Sequence, residues 1–171
     1  RYIGDWSSDV CSSDLAIATK FHPFSANGII TTTTVPSTYS AYFDGTGDYL
    51  TFPSNAAFTL GTSDFTIEAW IYPTSSSGTQ GVLACADTGG AGDLVFFYNL
   101  TSGKVTLNAY GGTAAVSTAS VSISTWTHVA FARASGSLKT FLNGTLDNTT
   151  AFTGNFTKTA FVVGRSYSTL N

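Results

Sequence analysis

The sequence has few charged residues and few of the residues that favour helices. Among 171 residues it has no methionine and a single glutamate, Glu68, and only 10% of the side chains are charged. Because Met, Glu, Lys and Arg are among the stronger helix formers, their scarcity argues against a helical fold. Seven lysines and arginines form no basic stripe, so we expect no nucleic-acid partner. No apolar run of about 18 residues occurs, so we expect no membrane insertion.

The N-terminal segment differs from everything that follows it. Residues 5–15 read DWSSDVCSSDL, a string that resembles the translation of a sequencing-library adapter and has no apolar periodicity. We therefore interpret residues 1–15 as non-native and expect them to pack against nothing. Without Cys11, Cys85 has no intramolecular disulfide partner. Its place in an apolar run predicts a buried, inert thiol.

The rest of the chain is rich in Thr, Ser, Gly and aromatic residues, the last at 14%. Residues 16–39 are irregular and are predicted to be a lead-in or linker. From residue 40 onward, strand-like runs recur every 10–15 residues or so, separated by turn residues, a rhythm typical of a β-sandwich or barrel. The predicted strands are 40–44, 49–52, 65–72, 81–86, 93–99, 105–110, 126–133, 138–142 and 160–164. No strand–helix alternation appears, which excludes a parallel α/β sheet.

The run at residues 65–72, FTIEAWIY, alternates between apolar and mixed positions. The alternation places Phe65, Ile67, Ala69 and Ile71 on the core face of a strand, with Glu68, Trp70 and Tyr72 among the residues on the opposite face. The Asn143-Gly144 pair predicts a tight hairpin further along the chain.

Four segments, in order, resemble the laminin-G-like and pentraxin-like jelly rolls of the concanavalin A-like lectin/glucanase superfamily. They are YFDGTGDYLTFP at 42–53, DFTIEAWIYP at 64–73, WTHVAFAR at 126–133 and KTFLNGTL at 139–146, followed by FVVGR at 161–165. The resemblance implies an all-β, antiparallel two-sheet β-sandwich over residues 40–171. Its members mostly bind glycans or proteins, often with calcium at a sandwich edge. Such domains continue beyond the FVVGR-like strand, so we expect this one to be truncated at its C-terminus.

The acidic residues argue against catalysis. Glycoside hydrolysis by the usual route needs two carboxyl groups about 5–10 Å apart. Glucanases that share this fold carry them in an E-x-D-x-x-E pattern, and this chain has only Glu68. We therefore expect no enzyme activity. Glu68 is expected to be a half-exposed strand carboxylate paired with Arg133, and His128 to be a structural strand residue.

Calcium is a further expectation from the resemblance. Asp44 and Asp48 flank one glycine-rich loop, and Asp87 and Asp93 bracket another. Hard cations take carboxylate oxygens from such loops. Against calcium, the family's acidic stretch after the late strand is replaced here by a segment that begins with Arg165. The alternative for all four aspartates is a turn-forming role.

Exposed aromatic rings are the usual platforms for sugars, because a ring face stacks on the C–H surface of a pyranose. The candidate ligand-binding residues are Trp70, Tyr72, Tyr98 and Tyr110, with Phe97 as a further possibility, and the alternative for each is core packing. Trp126 is expected to pack at the start of its strand.

These observations favour a non-catalytic recognition module that binds carbohydrate or a protein surface and belongs to a larger extracellular, cell-surface or virion protein. Its partners would then include other domains of the same parent chain. Two alternatives remain open: a structural or adhesive domain of a virion tail or surface array, and a degenerate glucanase.

Overall fold

The computed structural model describes residues 40–75, 78–85, 93–99, 102–109 and 112–165, apart from the side chains at positions 97 and 112. The predicted non-native segment 1–15 and the predicted linker 16–39 lie outside the described residues. So do two candidate ligands, Asp87 and Tyr110.

The described residues form ten strands and one short 3-10 helix, Ala56–Phe58. The strands are β1 Leu50–Phe52, β2 Phe65–Ile71, β3 Thr79–Cys85, β4 Leu94–Asn99, β5 Lys104–Ala109, β6 Gly112–Val116, β7 Thr127–Ala134, β8 Ser137–Leu142, β9 Thr145–Ala151 and β10 Phe161–Val163. Eight of them coincide with predicted strands. β6 and β9 were not predicted, because small residues in one and polar residues in the other hide the alternation.

The predicted strand at residues 40–44 is wrong, since this stretch pairs with no other strand among the described residues. It runs instead into a turn that its own side chains close. The Asp44 Oδ1 atom accepts a hydrogen bond of 2.6 Å from the backbone N–H of Thr46. Such an Asx turn competes with strand pairing.

The strands pair in two antiparallel sheets. One sheet has six strands in the order β1-β10-β3-β4-β5-β6, and the other has four in the order β2-β7-β8-β9. The core between them combines residues of both sheets. This arrangement confirms the predicted all-β, antiparallel two-sheet sandwich.

Fully buried side chains hold the two sheets together. Phe96 of β4 and Phe131 of β7 meet edge to face, with ring centroids 5.2 Å apart and an interplanar angle of 76°. This geometry suits the quadrupoles of the rings and adds roughly 0.5–1.5 kcal/mol beyond the burial of their area. Phe131 is 0% exposed, and so are Leu94, Val105, Leu107, Val129 and Leu138.

The register between β2 and β7 determines what each face presents. Ile67 lies opposite Phe131 on the core face, and Trp70 lies opposite His128 on the outer face. This confirms the predicted division of β2 into an inner and an outer row. It also places the outer residues of two strands side by side.

The Asn143-Gly144 turn joins β8 to β9 with φ values of 51° and 78°. Two positive φ values in a row define the tight hairpin that the sequence predicts. The Asn143 side chain also contacts the start of β7, since its Oδ1 atom accepts a 3.0 Å hydrogen bond from the backbone N–H of His128.

Arg133 lies on the inner face of β7 and is only 3% exposed. Its Nε donates to the carbonyl of Ser63 at 2.7 Å, its Nη1 to Gly154 at 2.6 Å and its Nη2 to Gly61 at 2.7 Å. The predicted Glu68–Arg133 pair is therefore wrong. Arg133 lies opposite Phe65 on the core face, whereas Glu68 points to the other side of the sheet.

Three aromatic rings surround the same guanidinium. Its carbon lies 5.0 Å from the ring centroid of Phe65, 5.7 Å from that of Phe156 and 5.9 Å from that of Phe152. Burial lowers the pKa of Arg133, and the nearby Asp64 carboxylate acts in the opposite direction. The carbonyls and ring faces offset part of the cost of burying this charge.

Candidate functional site

A cluster of exposed aromatic side chains lies on the outer face of β2 and at the start of β7. Its aromatic members are Trp70, Tyr72, Trp126 and His128. Together with the neighbouring Glu68 they form a surface that we call the aromatic patch. Trp70 is 44% exposed, Tyr72 42% and Trp126 39%. Large rings left this exposed on a folded domain are a feature of interaction surfaces.

The rings form two neighbouring pairs. Trp70 and His128 have ring centroids 5.3 Å apart with planes inclined at 51°, and Tyr72 and Trp126 have the same separation and inclination. Because Trp70 and Tyr72 are two residues apart on one side of the chain, the pairs follow each other at roughly 6.6 Å. The patch therefore presents two successive pairs of rings along the direction of β2. We call each pair an aromatic step.

One end of the patch is polar. The Nε2 atom of His128 lies 3.4 Å from the Oε2 atom of Glu68, and the exposed fractions of the two side chains are 23% and 58%. Glu68 lies opposite Ala130, whose small side chain leaves the carboxylate room to stay in solvent. The carboxylate thus keeps acceptor sites that the histidine does not occupy.

Apolar surface continues from the patch across the four-stranded sheet. Ala130 pairs with Phe141 of β8, and Phe141 pairs with Leu146 of β9, which is 52% exposed. Lys139 lies one step further along β8, opposite Ala132. The face therefore changes from aromatic through aliphatic to charged.

The structure brings two of the predicted platform residues together, Trp70 and Tyr72, and adds two that the sequence analysis did not select. Trp126 was expected to pack at a strand start, yet its exposed ring lies beside Tyr72. His128 was expected to be merely structural. Their positions two residues apart, in step with Ala130, are the alternation signal that would have placed both on the outer face.

Tyr98 is not available as a platform, which corrects the expectation for this residue. It is 2% exposed, and its hydroxyl donates a 2.8 Å hydrogen bond to the carbonyl of Val121. Burial raises the pKa of Tyr98. The surrounding run, LVFFYN, is apolar at five successive positions, so alternation could not reveal its inward-facing side chains.

The predicted calcium ligands before β1 are engaged with their own loop. Besides the Asp44–Thr46 contact, the Asp48 Oδ2 atom accepts a 3.5 Å hydrogen bond from the backbone N–H of Asp44. Both carboxylates therefore have the turn-forming role that was the alternative for them. Calcium binding here stays a prediction.

Asp93 lies in a different setting, since it is 1% exposed and its Oδ1 atom lies 3.7 Å from the Nζ of Lys158. An ammonium at this distance takes the place that a cation would need. Across the part of the chain that the structure describes, no three His, Cys, Asp or Glu side chains group in a way that could hold a metal ion.

Comparison with known proteins identifies the class of domain. A family model for laminin G domains of the concanavalin A-like lectin/glucanases superfamily matches residues 44–171. The chain therefore belongs to this superfamily, which confirms the resemblance seen in the sequence. No curated protein matches it.

Among solved structures, domains LG4-5 of the mouse laminin alpha1 chain superpose with a TM-score of 0.55 at 14% identity, covering 71% of this chain and 32% of that one. The protein HCR/D-Sa-GBL1/C gives a TM-score of 0.50 at 15% identity, covering 70% and 32%. A pentraxin from Limulus polyphemus gives 0.48 at 15% identity, covering 68% and 56%. The chain thus spans about a third of the first two proteins. At such identities the likeness shows the fold alone.

Within the described residues, no helix has the length and apolar character needed to cross a bilayer.

Proposed function

We propose that this domain is a non-catalytic recognition module that binds carbohydrate through the aromatic patch. The observation that carries the proposal is the pair of successive aromatic steps, each with an exposed ring. Indole and phenol faces carry partial negative charge and offer flat apolar area, which suits the C–H surface of a pyranose. Two steps would engage two neighbouring sugars of an oligosaccharide.

The polar end of the patch supports the same function. Binding sites typically combine an apolar lining with a few polar groups that fix the ligand's orientation. The exposed Glu68 carboxylate accepts hydrogen bonds and donates none when ionised, so sugar hydroxyls are suitable donors to it. His128 restrains the carboxylate from one side, which reduces the entropy lost when a ligand binds.

The contacts of Glu68 also support a binding rather than a hydrolytic role. Hydrolysis by the usual route needs a second carboxyl group to act as nucleophile or base. Within the described residues, the charged or titratable group beside Glu68 is an imidazole. We expect incubation with β-glucans to release no reducing ends, and a release that Glu68→Gln abolishes would favour the degenerate glucanase.

A protein ligand is the second candidate. The apolar surface that continues from the patch through Phe141 to the exposed Leu146 favours it, since protein interfaces have an apolar centre. In either case we propose that the module belongs to a larger extracellular, cell-surface or virion protein and works beside that protein's other domains. A structural or adhesive domain of a surface array remains the alternative.

The test is a glycan-array screen of the full chain, followed by calorimetric titration of the best oligosaccharide. Trp70→Ala and Trp126→Ala should each weaken binding at least tenfold, or about 1.4 kcal/mol. Phe52→Ala is the matched control, because Phe52 is 42% exposed but lies in the other sheet. Repeating the titration with calcium and with a chelator tests the calcium prediction.

Equal affinity for the wild type and both tryptophan variants would contradict the assignment of the site. An equal loss in the Phe52→Ala variant would do the same, since it would show that the effect is not local to the patch. Binding that depends on Leu146 and shows no glycan preference would favour the protein ligand.

A further inference from the structure

The charge around the aromatic patch points to the kind of glycan it takes. Glutamate side chains ordinarily carry a negative charge at neutral pH, and 58% of the Glu68 side chain is exposed. It is the acidic group of a patch whose other members are two indoles, a phenol and an imidazole. The patch therefore has a carboxylate at one end and aromatic rings along the rest.

Basic groups that would offset this charge are engaged elsewhere or distant. Among the described residues, Arg133 is buried on the other face of the sheet, and the Nζ of Lys104 donates to the carbonyl of Thr118. Lys158 lies beside Asp93, and the guanidinium of Arg165 lies 3.8 Å from the ring centroid of Tyr49.

Lys139 is the described cation on the same face as the patch. Lys139 pairs with Ala132 of β7, and Ala132 pairs with Thr66 of β2. Lys139 therefore lies two strands away from Glu68 and level with a residue two positions before it. Strand and residue spacings separate the backbone positions of Lys139 and Glu68 by roughly 12 Å. Salt weakens the interaction between charges that are not in direct contact.

We propose that the aromatic patch selects uncharged glycans and discriminates against those that carry carboxylate or sulfate groups. This inference rests on the proposed function and extends it to the ligand class. A sugar stacked on Trp70 lies next to Glu68, since the two residues are two positions apart on the same face of β2. A hydroxyl there donates to the carboxylate, whereas an anionic substituent meets a like charge at short range.

The experiment compares matched ligands that differ only in charge. The neutral probes are β-1,4-linked tetrasaccharides of glucose and of mannose, and the acidic probes are the same two oxidised at C6 to uronates. Titrations of the full chain are made at pH 8, where imidazoles are ordinarily uncharged. The variants are Glu68→Gln, Trp70→Ala and, as a matched control, Asp64→Asn, which neutralises an exposed carboxylate before β2.

We expect the wild type to bind at least one neutral tetrasaccharide tenfold or more tightly than its uronate. Glu68→Gln keeps the shape of the side chain and removes its charge, so the ratio should fall below threefold. The control should keep the wild-type ratio. Raising the salt to 1 M shortens the Debye length to about 3 Å and should reduce the discrimination of the wild type and of the control, both of which retain Glu68.

The remaining outcomes separate the two proposals. Equal binding of neutral and acidic probes, with loss of both in Trp70→Ala, would overturn the charge selection and leave the glycan site in place. An unchanged ratio in Glu68→Gln would overturn the role of the carboxylate. Failure of the wild type to bind any of the four probes would overturn the charge selection, and failure to bind any glycan on the array would overturn the glycan site as well.

Discussion

The same two strands carry two clusters in which one charged side chain meets aromatic rings, and the two clusters differ in how completely the charge is satisfied. On the inner face, Arg133 is 3% exposed, donates to three carbonyls and lies against three phenylalanine rings. On the outer face, the described partner of Glu68 is His128, whose Nε2 atom lies 3.4 Å from Oε2, and 58% of the Glu68 side chain is exposed.

The difference follows from the cost of removing a charge from water. A buried ion costs several kcal/mol unless hydrogen bonds and opposite or polarisable groups surround it. Arg133 is buried and donates to three carbonyls, so it can stabilise the fold but is not accessible to a ligand. Glu68 stays solvated, contributes little to stability and keeps acceptor sites for an incoming molecule.

The largest expected effect comes from removing the inner charge. Arg133→Met keeps much of the side-chain volume but leaves the carbonyls of Ser63, Gly61 and Gly154 without this donor. We expect a loss of about 3–5 kcal/mol in the free energy of unfolding, out of a typical total of 5–15 kcal/mol. Urea denaturation followed by tryptophan fluorescence measures it.

Arg165→Met is the matched control, because it makes the same substitution where the guanidinium faces a single ring, that of Tyr49. It should cost about 1 kcal/mol or less. Arg133→Lys should lie between the two, since an ammonium cannot match the fork of donors that reaches three carbonyls. If Arg133→Met unfolds at the same urea concentration as the control, the inner cluster is not the structural element described above.

The sequence was sufficient to predict most of this fold. Alternation in FTIEAWIY gave both faces of β2, and the Asn-Gly pair gave the β8–β9 hairpin. Prediction from the sequence failed where a strand lacks alternation. β9 reads TLDNTTA and lies at the edge of its sheet, where one polar face is tolerated. LVFFYN in β4 is apolar throughout, so the inward position of Tyr98 could not be distinguished from an outward one.

The site was predicted only in part, because its formation depends on register. Trp70 and Tyr72 were recognised within one strand. Their partners on β7 depend on which residues of two distant segments lie opposite each other, and local periodicity does not specify that. A shift of the pairing would have changed which side chains meet Glu68. This is why the sequence suggests Arg133 rather than His128 as the partner of Glu68.

A smaller effect is expected at Tyr98, the buried counterpart of the exposed Tyr72. Tyr98→Phe removes the hydrogen bond to Val121 and should cost about 1 kcal/mol at pH 7. Because burial raises the folded-state pKa of Tyr98 above the ordinary value of 10.0, Tyr98 ionises in the unfolded state at a lower pH than in the folded state. The stability due to Tyr98 is therefore complete below about pH 10 and decreases above it.

The variant should accordingly lose less stability than the wild type between pH 9.5 and about 11. Urea denaturation at three pH values in this window measures the difference. Tyr72→Phe is the control, because it removes a tyrosine hydroxyl from a residue that is 42% exposed. A wild-type-like alkaline loss in Tyr98→Phe would show that other groups cause it.

The smallest expected effect tests the outer cluster directly. Glu68 and His128 form an exposed pair, and such pairs typically contribute 0–1 kcal/mol because water screens the charges and both side chains lose freedom. A double-mutant cycle of Glu68→Gln and His128→Gln, measured by urea denaturation at pH 6 and pH 8, should give a coupling below about 1 kcal/mol at both. A coupling above about 2 kcal/mol would place the pair with Arg133 as a structural element. The contrast between a satisfied inner charge and an available outer one would then fail, and with it the argument that Glu68 is free to receive a ligand.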